Sequence, residues 1–503
     1  MGSQAASVGD DKSKRIALLS LFLFAIPLLG WLTSLYVESA WDKELRNVAI
    51  SNGGITPAEY DSRGISYLKE CAPGGTLASS EDAAAVCSGA GEVADTRLAA
   101  GVTAALGAGL ILLIFLGKHL AGNDRGRLSR IFGPLVRIVM LVLAVSVIAQ
   151  AGLLVYSIYT LEAAAIQRVH GGLLAVIGLG ALYGSFLLLK NGLGLLKEQP
   201  STLRAELLSR AEHPEMYALV EQVASKLKAE APDHIVVGLE PNFFVTTNPV
   251  QLLGGDGRVL KGRTLFMSLA LLRVLSKAEL VAVIGHELGH FRGQDTEYSL
   301  KFAPIYSRLT SALGGMGSSE GASTVALLPA MAVLSVCLGQ FAEAERTISR
   351  ERELLADRAG AEASTPEDLA SALVKVSLYS GYWNTLTRQQ IDALAEGRYF
   401  DNMSEVYQTA CVDIHSSLDW DGAKPLFTEY VQPHPVDTHP PLGMRLQSLG
   451  ISINDRDASI ATPAEVPASE TIPDAADIEQ RLTALEIRWL EAIGAVVIPQ
   501  PQS

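Results

Sequence analysis

Cysteine is scarce: Cys71, Cys87, Cys337 and Cys411 are the only four in 503 residues, and no two stand in C-x-x-C spacing. That leaves no cysteine-built zinc or redox motif. Aromatic residues are few, at 6%, and charged residues make up only 19%. Basic charge is in deficit, with 40 Lys and Arg against 54 Asp and Glu and a net charge of -14. A general nucleic-acid binder carries a basic surface, so that class of partner is excluded. No internal period of about 20–50 residues marks a repeat architecture. What fills the chain instead is apolar sequence, 49% of it, and that balance points to membrane segments. The length is too great for one ordinary domain.

Four apolar runs fall at residues 16–37, 98–116, 138–159 and 172–189. Each approaches or exceeds the roughly 20 residues that cross a bilayer as a helix. Lys12, Lys14 and Arg15 precede the first run. A cleaved signal peptide is the competing reading there, but the "ESA" before Trp41 puts Glu38 where a small residue is wanted. An uncleaved anchor is expected. The loop between the second and third runs carries Lys118, Arg125, Arg127, Arg130 and Arg137. Positive charge in short loops marks the cytoplasmic side. The N-terminus is then inside, residues 38–97 outside, and everything from Lys190 begins inside. In an oxidising outer compartment Cys71 and Cys87 form a disulfide, or else remain two thiols in a Gly/Ala/Ser-rich loop.

The soluble part begins with a helical pattern over residues 202–228. Two Val/Ile/Phe-rich stretches then read as strands around turns, a small sheet in a mainly helical domain. The strands near 243–247 and 263–267 offer an edge for an extended substrate. The stretch "VAVIGHELGHFRGQD" follows, at residues 281–295. Ser276 and Glu279 have capping-box spacing, so its helix starts there, and Gly293 is placed to end it. His286 and His290 then lie one turn apart on one face and can reach a single metal ion. Glu287, beside the first histidine, can hold a water rather than the metal. This is the H-E-x-x-H logic of zinc peptidases.

Chance alone yields such a pattern in about one comparable chain per hundred, so a third ligand has to decide against a core helix with incidental histidines. The charged helix at residues 341–360 offers Glu353, ahead of Glu351, with Asp357 one turn on and able to accept the outer N–H of a ligand histidine. Residues 300–342 between the two helices read as a membrane-associated hairpin. Residues 455–477, rich in Pro, Ala and acid, read as a disordered linker. After them Leu482, Leu485, Leu490 and Ile493 mark a short amphipathic helix. The expected domains are a transmembrane region at 1–197, a peptidase-like domain at 198–450, and the linker with its helix at 451–503.

Three runs together, "SLALLRVLSKAELVAVIGHELGHF", "SRERELLADRAG" and "DTHPPLGMRLQSL", resemble the membrane-bound zinc metalloendopeptidases of the HtpX and CAAX-prenyl-protease type. The resemblance covers residues 203–449. It implies an α+β zincin-like peptidase domain, which beside the four-helix transmembrane region read from the apolar runs makes the expected fold mainly α. It implies one zinc per chain held by His286, His290 and Glu353, with Glu287 as general base. It sets Asp357 at the end of the second motif, His439 on a His-Pro motif and Arg445 as the following arginine. "QPHPVDTHPP" offers His434 as a second His-Pro candidate, and the flanking Thr and Arg favour His439. His439 would donate to the developing oxyanion; otherwise it is a loop histidine. The family also implies a peptidase domain on the cytoplasmic side of a bacterial inner membrane, with polypeptides as substrates. The four spans and the Cys-containing outer loop exceed a minimal HtpX-type protein, and the tail after Ile451 has no counterpart. The leading expectation is a quality-control endopeptidase for misfolded or membrane proteins. A processing protease for a defined, even prenylated, peptide is the second. A scaffold with a vestigial metal site is the third, disfavoured by the presence of Glu287.

Overall fold

In a computed structural model the chain is mainly α-helical with a small β component. The structure describes residues 2–51, 54–81, 86–165, 168–194, 200–253, 257–292, 302, 305–307, 309–310, 322–428 and 440–496. It divides into two compact units. One comprises Met1–Gly122, Arg130–Lys197 and Ile305–Glu343; the other comprises Asn123–Ser129, Glu198–Pro304 and Ala344–Ser503.

The first unit is built on helices α1 (Gly2–Ser51), α2 (Ser88–Ala121), α3 (Arg125–Ala165) and α4 (Gly171–Gly194). Among the described residues three helical stretches are long and apolar enough to cross a membrane: Ile16–Ser51, Ser88–Ala121 and Arg125–Ala164. The fourth run, in α4, is apolar over the shorter stretch Gly171–Leu187. Pro27 sits inside α1 and Pro134 inside α3; neighbouring helices re-satisfy backbone groups that proline frees in such segments. Helices α1 and α2 run past their apolar parts and carry an ordered module between them. There Trp41 stacks on Tyr67 with ring centroids 5.3 Å apart. The Tyr67 N–H donates to Asp42 at 2.7 Å, and its hydroxyl donates to the Val86 carbonyl at 2.6 Å. Cys71 and Cys87 are bonded to each other, with Cα atoms 5.5 Å apart.

The second unit opens with strands β1 (Ser201–Leu203) and β2 (Ala205–Leu207), not with the helix expected from residue 202. Helix α5 starts only at Pro214, a proline placed where its missing N–H costs nothing, and runs to Leu227. Three-residue strands carry too few positions for a period to show, and tertiary pairing decides them. Then come β3 (His234–Gly238), β4 (Phe244–Thr246), β5 (Val250–Leu252), β6 (Val259–Leu260) and β7 (Thr264–Ser268). They form two sheets, of order β1-β5-β6 and β2-β3-β7-β4. Strand β7 pairs in parallel with β3 and antiparallel with β4. It is therefore interior, and of the two stretches expected to offer an edge only β4 is terminal.

Helix α6 (Lys277–Gly289) carries the first motif. It ends four residues earlier than the glycine signal suggested, and Gly293 lies outside the described residues. Helix α7 (Ala322–Ala363) is continuous. The second half of the expected hairpin and the charged helix are thus one element, because nothing between them breaks helical geometry when the sequence turns from apolar to charged. Most of residues 300–321 lie outside the described residues. The further helices used below are α8 (Pro366–Tyr379), α9 (Met403–Ser416), α10 (Leu442–Ser448) and α11 (Ala475–Ala492).

The segment expected to be a disordered linker is ordered. Its short 3-10 turns Ala458–Ala461 and Ala468–Thr471 bury Ala461 and Ala468. Leu482 and Leu485 of α11 share one core with Leu280, Val283, Ile284 and Leu288 of the motif helix. Pro, Ala and acid dominate the composition of residues 455–477, but Ala461, Ala468, Ile472 and Ala475 are spaced so that they are buried, while Val466 stays exposed.

Candidate metal centre

The motif helix is fixed at its start. The Glu279 N–H donates to Ser276 Oγ at 3.2 Å, and the Ser276 N–H donates to the Glu279 carboxylate at 2.6 Å, a complete capping box. The same carboxylate is buried against Lys375 of α8, 2.7 Å away, and accepts from the Ser371 hydroxyl. Leaving Glu279 without Lys375 would strand a buried charge, the costly way to break such a pair.

At the other end of α6, His286 and Glu287 occupy the last turn and His290 is the C-cap. His290 keeps helical dihedrals, φ -68° and ψ -17°, so it stays one turn from His286. The two rings lie 5.1 Å apart, nearly perpendicular. A helix C-terminus carries partial negative charge, which favours a cation there.

Helix α7 crosses closely enough to bring Glu353 to both histidines. His286 Nε2 is 3.6 Å from one Glu353 oxygen, and His290 Nε2 is 3.5 Å from the other. One donor atom from each of the three residues lies within 4.8 Å of the others. Donors bonded tetrahedrally to zinc at about 2.0–2.2 Å stand about 3.3–3.6 Å apart. The two histidine–glutamate separations, each to a different carboxylate oxygen, match that figure and are too long for hydrogen bonds between the groups themselves. Two imidazoles and one carboxylate thus fit a divalent metal of the zinc type. Glu351, the competing carboxylate, is 63% exposed at its side chain and pairs with Arg125 at 3.1 Å.

Behind the histidines, Asp357 is wholly buried and lies 2.9 Å from His286 Nδ1. Arg445 of α10 grips the same carboxylate with two hydrogen bonds, 2.9 Å from Nε and 2.6 Å from a terminal nitrogen. Burial works against the Asp357 charge, but Arg445 and the hydrogen bond from His286 outweigh it and hold the carboxyl down at about 2. Arg445 also approaches His286 Nδ1 at 3.4 Å. Both groups are donors there, and the shorter contact assigns the Nδ1 hydrogen to Asp357. That assignment leaves the Nε2 lone pair facing Glu353. Burial opposes the Arg445 charge as well, and Asp357, Glu353 and Glu287 together hold it protonated. His439 and His434 lie outside the described residues.

The close crossing depends on small residues that motif reading passes over. A Cβ on Gly360 would stand 2.6 Å from the Ala282 carbonyl oxygen and 3.2 Å from the His286 Cβ. One on Gly289 would stand 3.0 Å from the Ala356 Cα. The signal was present in the sequence: "GHELGH" and "ADRAG" both put small residues beside the chemistry-bearing ones. Gly360→Ala should therefore cost about 1–3 kcal/mol by overpacking and lower the zinc content of the purified protein. Thermal melts and metal analysis check both; a variant with wild-type zinc content would show that the crossing tolerates a methyl group.

Residues 211–451 match peptidase family M48. The chain is 31% identical over 200 residues to a "Protease HtpX homolog" of Thermococcus kodakarensis, covering 36% of this chain and 63% of that protein. It is 33% identical over 190 residues to the protein of that name in Pyrococcus furiosus, covering 35% and 61%. With the one in Salinibacter ruber it shares 31% identity over 210 residues, covering 40% and 71%. The chain thus spans less than two thirds of the length of the two archaeal proteins. No solved structure matches it.

Proposed function

The chain belongs to peptidase family M48, and from that premise we propose that it is an integral-membrane zinc endopeptidase. The observation that carries the proposal is the convergence of His286, His290 and Glu353 donor atoms within 4.8 Å, on the H-E-x-x-H helix. One zinc per chain is the cofactor proposed, with those three residues as ligands. When bound, it supplies Lewis acidity, which acidifies a water and polarises the scissile carbonyl.

The protein's own residues do the rest. Glu287 takes the proton of the attacking water on its carboxylate and delivers it to the leaving amine. It is 8% exposed, and that shielding suits a carboxylate which must hold and release a proton. Asp357 accepts the His286 Nδ1 hydrogen and so fixes the ring with Nε2 towards the ligand cluster. Arg445 holds Asp357 in its charged, oriented form. His439 is assigned the donor to the developing oxyanion.

Substrates are polypeptides, and the role proposed is quality control of misfolded or membrane proteins. The terminal strand β4 supports this, since strand addition reads backbone more than side chains. For topology, the Cys71–Cys87 disulfide suits an oxidising compartment for residues 38–97. The basic loop at 118–137 suits the cytoplasm. The peptidase unit is accordingly assigned to the cytoplasmic face of a bacterial inner membrane, behind four spans. The test is cleavage of an unfolded model protein by the full chain in detergent. Cleavage that a chelator abolishes and added zinc restores is the expected result. Cleavage indifferent to chelator would sink the metal reading, and none in zinc-loaded protein would sink the quality-control reading.

A further inference from the structure

The family match ends at residue 451, yet the chain beyond it reaches back to the turn that launches the metal helix. Three consecutive residues of that turn, Arg273, Val274 and Leu275, are gripped just before the Ser276 cap. Glu479 of α11, wholly buried, takes Arg273 in a fork of three hydrogen bonds of 2.6–3.0 Å. The Ala464 N–H donates to the Val274 carbonyl at 3.0 Å. The Ala468 N–H donates to the Leu275 carbonyl at 2.7 Å. Asn402, the N-cap of α9, donates to the same Glu479 at 2.7 Å and keeps it oriented. On α8, the Ser371 hydroxyl that reaches Glu279 also lies 2.7 Å from the Ile460 carbonyl.

We propose that residues 453–492 are a brace for the metal helix, with Glu479 and Arg273 as positioning residues. The brace sets the tilt and rotation of α6 and so presents His286 and His290 to Glu353. The inference deepens the metallopeptidase reading and rests on it for the use of the site. The lever arm explains why anchoring matters. Helix α6 has 13 residues, which makes it about 20 Å long. A tilt of about 2° at its start moves the histidine end by about 0.7 Å, several times the roughly 0.2 Å that metal–ligand distances tolerate. The same segment also pairs Asp474 with His213, Arg481 with Glu206 and Glu486 with Arg204, and the contacts to Arg273, Val274 and Leu275 are the part of its polar bonding that bears on α6.

Deleting the tail would expose much of the core, so the informative variant is Glu479→Gln in the full chain. It keeps the shape and removes the charge that holds Arg273. Two measurements follow: hydrogen exchange on metal-free protein, and zinc affinity by chelator competition at low temperature. In the variant, amides of residues 280–289 should exchange at least 10-fold faster relative to those of β3, and the zinc Kd should rise about 10-fold. Equal acceleration of α6 and β3, with zinc Kd within two-fold of wild type, would overturn the brace and leave the tail a general stabiliser. Should Glu479→Gln not fold, Arg273→Lys keeps the charge but loses the fork, and the same two readouts decide. The exchange experiment needs neither zinc nor cleavage. A wild type that binds zinc but cuts nothing would therefore remove the peptidase reading without touching the brace.

Discussion

Replacing Glu287 by Gln should lower cleavage of an unfolded protein by about 100- to 10,000-fold, the range that a positioned general base contributes. Zinc content should not change. Glu287 follows His286 on α6, while the cluster that could hold a metal draws its carboxylate from Glu353 on another helix. The substitution is nearly isosteric, and Gln can still hold a water but cannot accept its proton. Melting temperature should stay near that of wild type, because the buried Arg445 keeps its two hydrogen bonds to Asp357. Turnover numbers and metal analysis on the same preparations decide it. A variant that cuts at the wild-type rate would move the base elsewhere. A variant that has lost its zinc would make Glu287 a ligand.

The second large effect falls on the pair behind the histidines. Asp357→Asn leaves Arg445 buried without its counter-charge, since the two form a two-point contact in which Asp357 is wholly buried. Breaking a buried pair from one side costs about 3–5 kcal/mol, or a melting shift of about 6–20 °C in a unit of this size. Zinc affinity should fall about 10- to 100-fold as well, because His286 loses the acceptor that orients its ring. The two effects separate in the double variant with Arg445→Met. Removing the stranded charge should restore much of the stability, whereas affinity should stay low. If affinity recovers together with stability, Asp357 serves the fold and not the ring of His286.

The helix of the H-E-x-x-H motif could be read directly from the sequence. Its capping box, its apolar face and the spacing of His286 and His290 are local features. The choice of Glu353 over Glu351 is not local. It depends on which side of α7 faces α6, and two positions along a helix differ by more than half a turn. The small residues at 289 and 360 went unread because glycine inside a helix looks like a weakness until the partner helix is known. The continuity of α7 was hidden by its composition, apolar before residue 342 and charged after it. The tail misled in the opposite sense. Its Pro, Ala and acid content resembles a linker, yet Ala461, Ala468 and Ile472 are all buried, and Glu479 finds its arginine 206 residues earlier in the chain. Long-range partners of that kind leave no periodic trace.

Zinc-edge X-ray absorption on the full chain in detergent asks whether two histidines and one glutamate hold a metal. One zinc per chain is expected, with two imidazole nitrogens at about 2.0–2.1 Å and oxygen completing the shell. In Glu353→Ala the oxygen contribution should diminish while both nitrogens remain. A zinc bound through sulfur, a shell with no imidazole, or no zinc at all in the wild-type protein would contradict it.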